Sequence, residues 1–329
     1  MGMRKTATGF AVAISLIGAA PALSKQSEPV KVTSANAIKG TQRVTIGQFT
    51  IGFLIERKDS TKAGGGLMGS GFGGRSTVRS TLAGYTQAEM QEIVDAAYGD
   101  FVTQLTAAGF EVADRTSLEA HPAMARARGE AGPKEMTTIT GRDDKAKVLF
   151  IGASQTQPLR LLIGDVAASG FGAMGMIMSG SQAAQGFAAY VKDTDTRVVN
   201  VVYYLDFAKS EEYGGWFRNS SAVQVEGVLA MMETQSKLSI IGPNNKTGSL
   251  VLNEPVAIGG NFFRKTDAMG SGEKVSNALG NAIGLLGGVG TNSSKKFTFT
   301  PEPGAYSAGA RQLATEANQV LVSKLATLR

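Results

Sequence analysis

Carboxylates are the side chains here with the most evident capacity for chemistry, and they come in close pairs. Asp143 stands beside Asp144, Asp193 near Asp195, and Glu211 beside Glu212. Two acids at a suitable separation divide general-acid and general-base work between them, or act as acid and nucleophile. All three pairs sit in polar, turn-like stretches, where adjacent acids are ordinarily solvated. Asp206 differs, because it is embedded in the apolar run 203–207. An acid facing solvent at a strand end is the simpler reading of it. Buried, its carboxyl would be pushed toward the neutral form. Asp206 is then the candidate catalytic acid of a carboxylate-based hydrolase, with a second acid brought from elsewhere.

Other chemistries find little support. His121, the only histidine, precedes Pro122 in a polar segment and reads as a solvated loop residue. A histidine-based metal cluster or triad is therefore not expected. The absence of cysteine excludes disulfides, thiolate metal sites, a cysteine nucleophile and an acyl anchor on a cysteine. No Gly-x-Ser-x-Gly elbow occurs. Gly69, Gly71 and Gly74 match a dinucleotide fingerprint, but that motif must follow a strand directly and open a helix. Gly242, Lys246 and Thr247 echo a phosphate loop and read better as a hairpin turn. No cofactor and no metal is expected. The candidate interaction residues are Arg75 and Arg79, which end a glycine-rich stretch, and Trp216, beside Gly214 and Gly215.

The elements that position these groups follow from periodicity. A strand begins near Val44 and stays apolar through Ile55 on both parities, so it is expected to be buried on both faces, with a kink at Gly52. Residues 58–84 read as a long glycine- and serine-rich loop, mobile in isolation because glycine loses the most freedom on ordering. Thr86 and Glu89 form a capping box. Met90, Ile93, Val94, Ala97, Phe101 and Leu105 then repeat with helical spacing up to a stop at Gly109. A short strand follows at 110–113, and a right-handed crossover would set it parallel to the first.

Residues 120–147 read as connecting material with a short helix near 123–128. Residues 148–152 form a buried strand, and a further strand is expected over 154–163. The segment 165–191 carries no charge after Asp165 and is dense in Ala, Gly, Ser and Met. It suits a buried helical hairpin, a subunit interface or a membrane-contacting surface, since small residues let backbones approach. Strands follow at 197–207, 222–232, 237–241 and 249–258. A second Gly/Ala-rich stretch covers 277–290, a last strand 297–300, and an amphipathic helix 307–328 closes the chain.

The first residues form an address. Arg4 and Lys5 precede an uncharged, mostly apolar run over 6–20, with small residues at Ala20, Ala22 and Ser24. That is the layout of a cleavable secretory signal peptide, too short to span a bilayer comfortably. The expected plan is a signal peptide at 1–24, a flexible lead-in at 25–40 and one α/β domain at 41–329, with the glycine-rich loop at 58–84. The expected location is the periplasm, without lipidation. Charged residues make up 18% and the formal charge is +6. With no basic run interleaved with aromatics, that is too dilute for nucleic acid. Membrane contact without spanning remains compatible.

The opening unit resembles the curli secretion channel family and related periplasmic assembly proteins. The resemblance rests on 44–49 (VTIGQF), the Leu-x-x-x-Gly helix end at 105–109 and 110–115 (FEVADR), with a later strand at 197–207 (RVVNVVYYLDF). Three features depart from that family: its lipid-bearing cysteine is missing, the glycine-rich loop at 58–84 has no counterpart in it, and Asp206 lacks the Thr-Gly-Glu sequel. The resemblance implies an α/β periplasmic domain that assembles with itself or with envelope partners. The expected fold is thus α/β, a mixed sheet with an N-terminal strand–helix–strand unit, a small-residue helical segment, later antiparallel strands and a C-terminal helix. The expected role is a non-enzymatic envelope assembly or oligomerising protein. A carboxylate-based hydrolase, and a small-molecule or lipid carrier whose methionines line a cavity, are the alternatives. For the capped helix, packing outweighs capping: in chemical denaturation Thr86→Ala should cost about 1 kcal/mol and Phe101→Ala about 3–5 kcal/mol.

Overall fold

In the computed structural model, which describes residues 28–63, 74–140, 145–167, 171–213, 222–243, 246–271, 273–274, 277 and 293–329, helices are interspersed with strands in the first part of the chain and a run of strands follows. It runs β1 (Val30–Thr33), α1 (Ala35–Ile38), β2 (Arg43–Ala63), β3 (Gly74–Leu82), α2 (Gln87–Ala107) and β4 (Glu111–Val112). Next come α3 (Thr116–Glu119), a 3-10 turn at Pro122–Arg126, β5 (Lys134–Ile139), β6 (Lys145–Gly152) and α4 (Phe171–Thr194). The remainder is β7 (Arg197–Tyr213), β8 (Ala222–Met231), β9 (Lys237–Ile241), β10 (Thr247–Leu252), β11 (Val256–Ile258), β12 (Phe263–Asp267), β13 (Ser293–Pro301) and α5 (Ala305–Ala326). The expected signal peptide, Trp216 and residues 278–290 lie outside the described residues.

The organising element is β2, 21 residues long. Its first half is buried on both faces, as its unbroken apolar run requires. It pairs in parallel with β7 from Val44 opposite Arg197 to Phe53 opposite Leu205, and antiparallel with β6 from Thr50 opposite Gly152. Gly52 provides no kink. A Cβ there would lie 2.7 Å from the Phe150 ring, so the missing side chain admits its neighbour on β6. The irregularities fall on either side of Gly52, between Ile46 and Gln48 against β7 and between Leu54 and Glu56 against β6. Beyond the second, β2 leaves β7 and pairs antiparallel with β3, from Glu56 opposite Thr81 to Ala63 opposite Gly74.

The mixed α/β sheet has the expected opening unit, with β4 parallel to the start of β2 and α2 between them in sequence. The helix begins in a complete capping box, the Glu89 N–H donating to Thr86 Oγ1 at 3.2 Å and the Thr86 N–H to Glu89 Oε2 at 3.1 Å. Helices α2 and α5 cover one face of the sheet. There Phe49 meets Phe101 and Tyr203 with ring centroids 5.5 and 5.7 Å apart. Buried Asn318 on α5 ties three elements together. It accepts from the Tyr203 hydroxyl at 2.8 Å and donates to the Ala97 carbonyl at 3.0 Å and Asp100 Oδ2 at 2.7 Å. On the opposite face the C-terminal half of α4 packs Phe187, Tyr190 and Val191 against Val198 and Ile241.

Several expectations are corrected. The lead-in 25–40 contains β1, paired antiparallel with β10, and α1; the β-branched run Val-Lys-Val-Thr is only four residues long and is held as a strand by the β10 edge. The supposed loop 58–84 supplies the end of β2 and all of β3. Its glycine content masks a period-two pattern in which Ser76, Val78, Ser80 and Leu82 are buried between less buried neighbours. Within 120–147, residues 134–139 form the strand β5 paired with β6. The expected strand at 154–163 is a 3-10 turn followed by a single bridge between Leu159 and Glu130.

The small-residue segment is one 24-residue helix and not a hairpin. Its glycines mark a crossing: a Cβ on Gly180 would lie 2.9 Å from the Ile163 nitrogen and the Leu161 carbonyl oxygen. Alanine at 180 gains helix propensity of about 1 kcal/mol. It also overpacks against immovable backbone at a typical cost of about 1–3 kcal/mol. Gly180→Ala should therefore lower the urea midpoint despite the better helix former.

Candidate functional site

Where β2 parts from β7, the two strands leave a fork, and Arg57 fills it. The Arg57 guanidinium donates through Nη1 to Asp206 Oδ2 and to the Ala208 carbonyl of β7, and through Nη2 to Asp59 Oδ1 at 2.7 Å. Arg57 and Asp59 are two apart on β2 and so share a face. Asp206 sits at the last residues of β7 before its own bulge opposite β8, and its Oδ1 accepts the Ala208 N–H at 3.2 Å. The strand bend thus creates unpaired backbone, and the ion cluster occupies the gap.

The solvent-facing reading of Asp206 is overturned, since only 5% of the residue is exposed. The reason is β8 and the β3–β13–β12 part of the sheet, which curl over β7. Phe207, Phe263 and Phe299 close a small aromatic core there, with Phe207 and Phe299 centroids 5.5 Å apart. Burial pushes the Asp206 carboxyl up to about 6; the Arg57 charge opposes that and the Asp59 charge adds to it. A second acid is thus within reach, as a two-carboxylate site requires. Both carboxyl groups are nonetheless closed off from solvent and share one guanidinium. The arrangement is well suited to holding two strands together.

The other candidates are placed as follows. Arg75 and Arg79 lie on one face of β3, the face opposite buried Ser76, Val78 and Ser80. Arg79 pairs across the strands with Lys58, and Arg75 with Lys62. Strand register thus sets Arg79 level with a further cation, Lys58, on the neighbouring strand. His121 is not a solvated loop residue. Its Nδ1 accepts the Ala123 N–H at 3.3 Å, capping the 3-10 turn, and its Nε2 lies 3.2 Å from Asp193 Oδ2. Among the described residues no three metal-ligating side chains converge.

The sequence left open whether 165–191 is buried or a contact surface, and the apolar stripe on it went unread. The N-terminal half of α4 runs past the sheet, leaving Met174 68%, Ile177 53% and Met178 62% exposed, with Ile163 at 57% nearby in the preceding loop. Spacing at 174, 177 and 178 is a helical stripe, so the signal was present. Which stripe is covered is decided only where the helix meets the 161–163 loop, at Gly180. Arg57 and Asp59 were likewise missed; their charge pairing at period two is the mark of a shared strand face, hidden by the loop assignment.

Among the described residues no helix is long and apolar enough to cross a membrane, which does not bear on crossing by strands. No family model, no curated protein and no solved structure matches this chain.

The Asp206 carboxyl is held above the usual carboxylate range, so folding favours its neutral form. The stability linked to this group is full below about pH 4, the usual carboxylate value, and is lost as pH rises through about 6. Wild type should therefore gain roughly 1 kcal/mol relative to Asp206→Asn between pH 7.5 and 5. Urea melts of both proteins across that range measure it, and parallel pH profiles would refute the assignment.

Proposed function

We propose that this is an exported, non-enzymatic component of the cell envelope that works by assembling with itself or with envelope proteins. The observation that carries the reading is the exposed apolar end of α4, formed by Ile163, Met174, Ile177 and Met178. A helix facing water ordinarily shows it polar side chains; an exposed contiguous apolar patch marks an interaction site. Methionine suits such a surface, since its flexible thioether adapts to a partner. The basic, apolar and small-residue order of the first 24 residues supports export. The strand–helix–strand opening supports the kinship with periplasmic assembly proteins.

The two rivals draw less support. A hydrolase would use Asp206 and Asp59, and both are sealed behind Arg57. A carrier would line a cavity with methionines, and Met174 and Met178 point outward instead. The Met176 side chain alone among them reaches inward, to a cleft of about 190 Å³ beside Leu159 and Arg160.

Size-exclusion chromatography with light scattering is the direct test. The wild-type chain should elute as an oligomer, and Ile177→Glu with Met178→Glu should shift it to monomer without lowering its melting temperature. A wild-type protein that stays strictly monomeric at high concentration would refute self-assembly.

A further inference from the structure

The outward face of the β2–β3–β13 region carries like charges in register. Lys145 of β6 stands opposite Lys58 of β2, Lys58 opposite Arg79 of β3, and Arg79 opposite Lys296 of β13. Four adjacent strands thus place a cation at the same level. Directly opposed side chains in a sheet sit about 4.5–5.5 Å apart at Cβ, and like charges there are destabilising. Lys296 is neutralised by Glu273. Among the described residues neither Lys58 nor Arg79 takes part in an ion pair. The nearest acid on the same face of β2, Glu56, is engaged by Lys147 at 3.0 Å.

Lys58 and Arg79 do not stand on open, featureless surface. With Arg75, Thr77, Ser294 and Asn277 they line a cleft of about 400 Å³. Asn277 holds one wall in place by donating its side-chain N–H to the Ser294 carbonyl at 2.6 Å. The lining therefore combines a guanidinium, an ammonium, hydroxyls and an amide, with no carboxylate among them. That donor set suits a tetrahedral oxyanion: arginine engages two of its oxygens at once, lysine adds a point charge, and hydroxyls complete the shell. A carboxylate ligand would leave much of such a donor set unused.

We infer that this cleft binds a phosphate group, carried either by an anion free in solution or by a lipid headgroup. It is separate from the α4 surface and does not depend on the assembly reading. The bound anion relieves the repulsion between Lys58 and Arg79, so occupancy stabilises the β2–β3 hairpin as it satisfies the ligand.

The test uses the purified full chain with two probes. The first is inorganic pyrophosphate, followed by calorimetric titration at low salt. The second is flotation with vesicles of phosphatidylglycerol, with phosphatidylcholine vesicles as the neutral control. Each is repeated with Lys58→Gln/Arg79→Gln, with Arg79→Lys, and with Lys246→Gln, a control on the distant β9–β10 turn. Pyrophosphate binding weakened roughly tenfold or more in the double variant, unchanged in Lys246→Gln and intermediate in Arg79→Lys, identifies a free anion. Flotation with phosphatidylglycerol alone, lost in the double variant, identifies a headgroup. In either case added salt weakens binding. The double variant removes a like-charge contact, so its melting temperature without ligand should equal or exceed that of wild type. Binding of neither probe by wild type, or equal binding by wild type and the double variant, overturns the inference.

Discussion

The arrangement depends on one local conflict: β2 cannot follow both β7 and β3 at the same edge. It follows β7 as far as Phe53 and β3 from Glu56 onward. The few residues between must bend, and bending leaves carbonyls and charges facing a buried gap. Arg57 resolves this with a planar set of donors that reaches Asp206, Asp59 and the Ala208 carbonyl together. A lysine has one ammonium and lacks that fork. Burying three charges is costly unless each is met by another, so the cluster is as much a condition on the bend as a source of stability. Its position also decides what Asp206 can do, because a carboxylate that braces a strand junction is not presented to a substrate.

Around that junction the packing divides into two kinds. On the α2 and α5 side, large aromatic and aliphatic side chains fill the space, and Asn318 supplies a buried polar link among sheet, α2 and α5. On the α4 side the chain comes close at backbone level, with Gly180 against residues 161–163 and Gly186 against Met124 and Ala123. Close approach fixes where the helix crosses but covers only part of its length. The uncovered part carries the apolar stripe on which the proposed assembly role rests. The geometry that brings α4 down onto the sheet is thus also what leaves its other end facing outward.

The two proposed surfaces differ in physical character. The α4 end is apolar and formed by side chains of one helix and the loop before it. The β2–β3–β13 face is cationic, formed by strands far apart in sequence, and its charges are aligned by strand register. Neither surface involves the Arg57 cluster directly. The cationic face nevertheless depends on it, since the fork it closes sets where β3 joins β2 and hence which cations come level.

Local pattern was enough to read much of this protein. The capping box at Thr86, the apolar spacing of α2 and α5, and the both-face burial of early β2 are short-range properties, written in adjacent residues and their periods. The alternation in 74–82 was equally local, but a high glycine content drew attention to the loop and away from the strand. What no local rule contains is pairing between distant segments. Lys58, Arg79, Lys145 and Lys296 are unremarkable singly and come level only through the registers of four strands. Asp206 has the same composition around it whether solvated or buried; the strands folding over β7 settled the matter. Burial, charge proximity and exposure are properties of the assembled sheet, because they depend on which surfaces the tertiary contacts have already used.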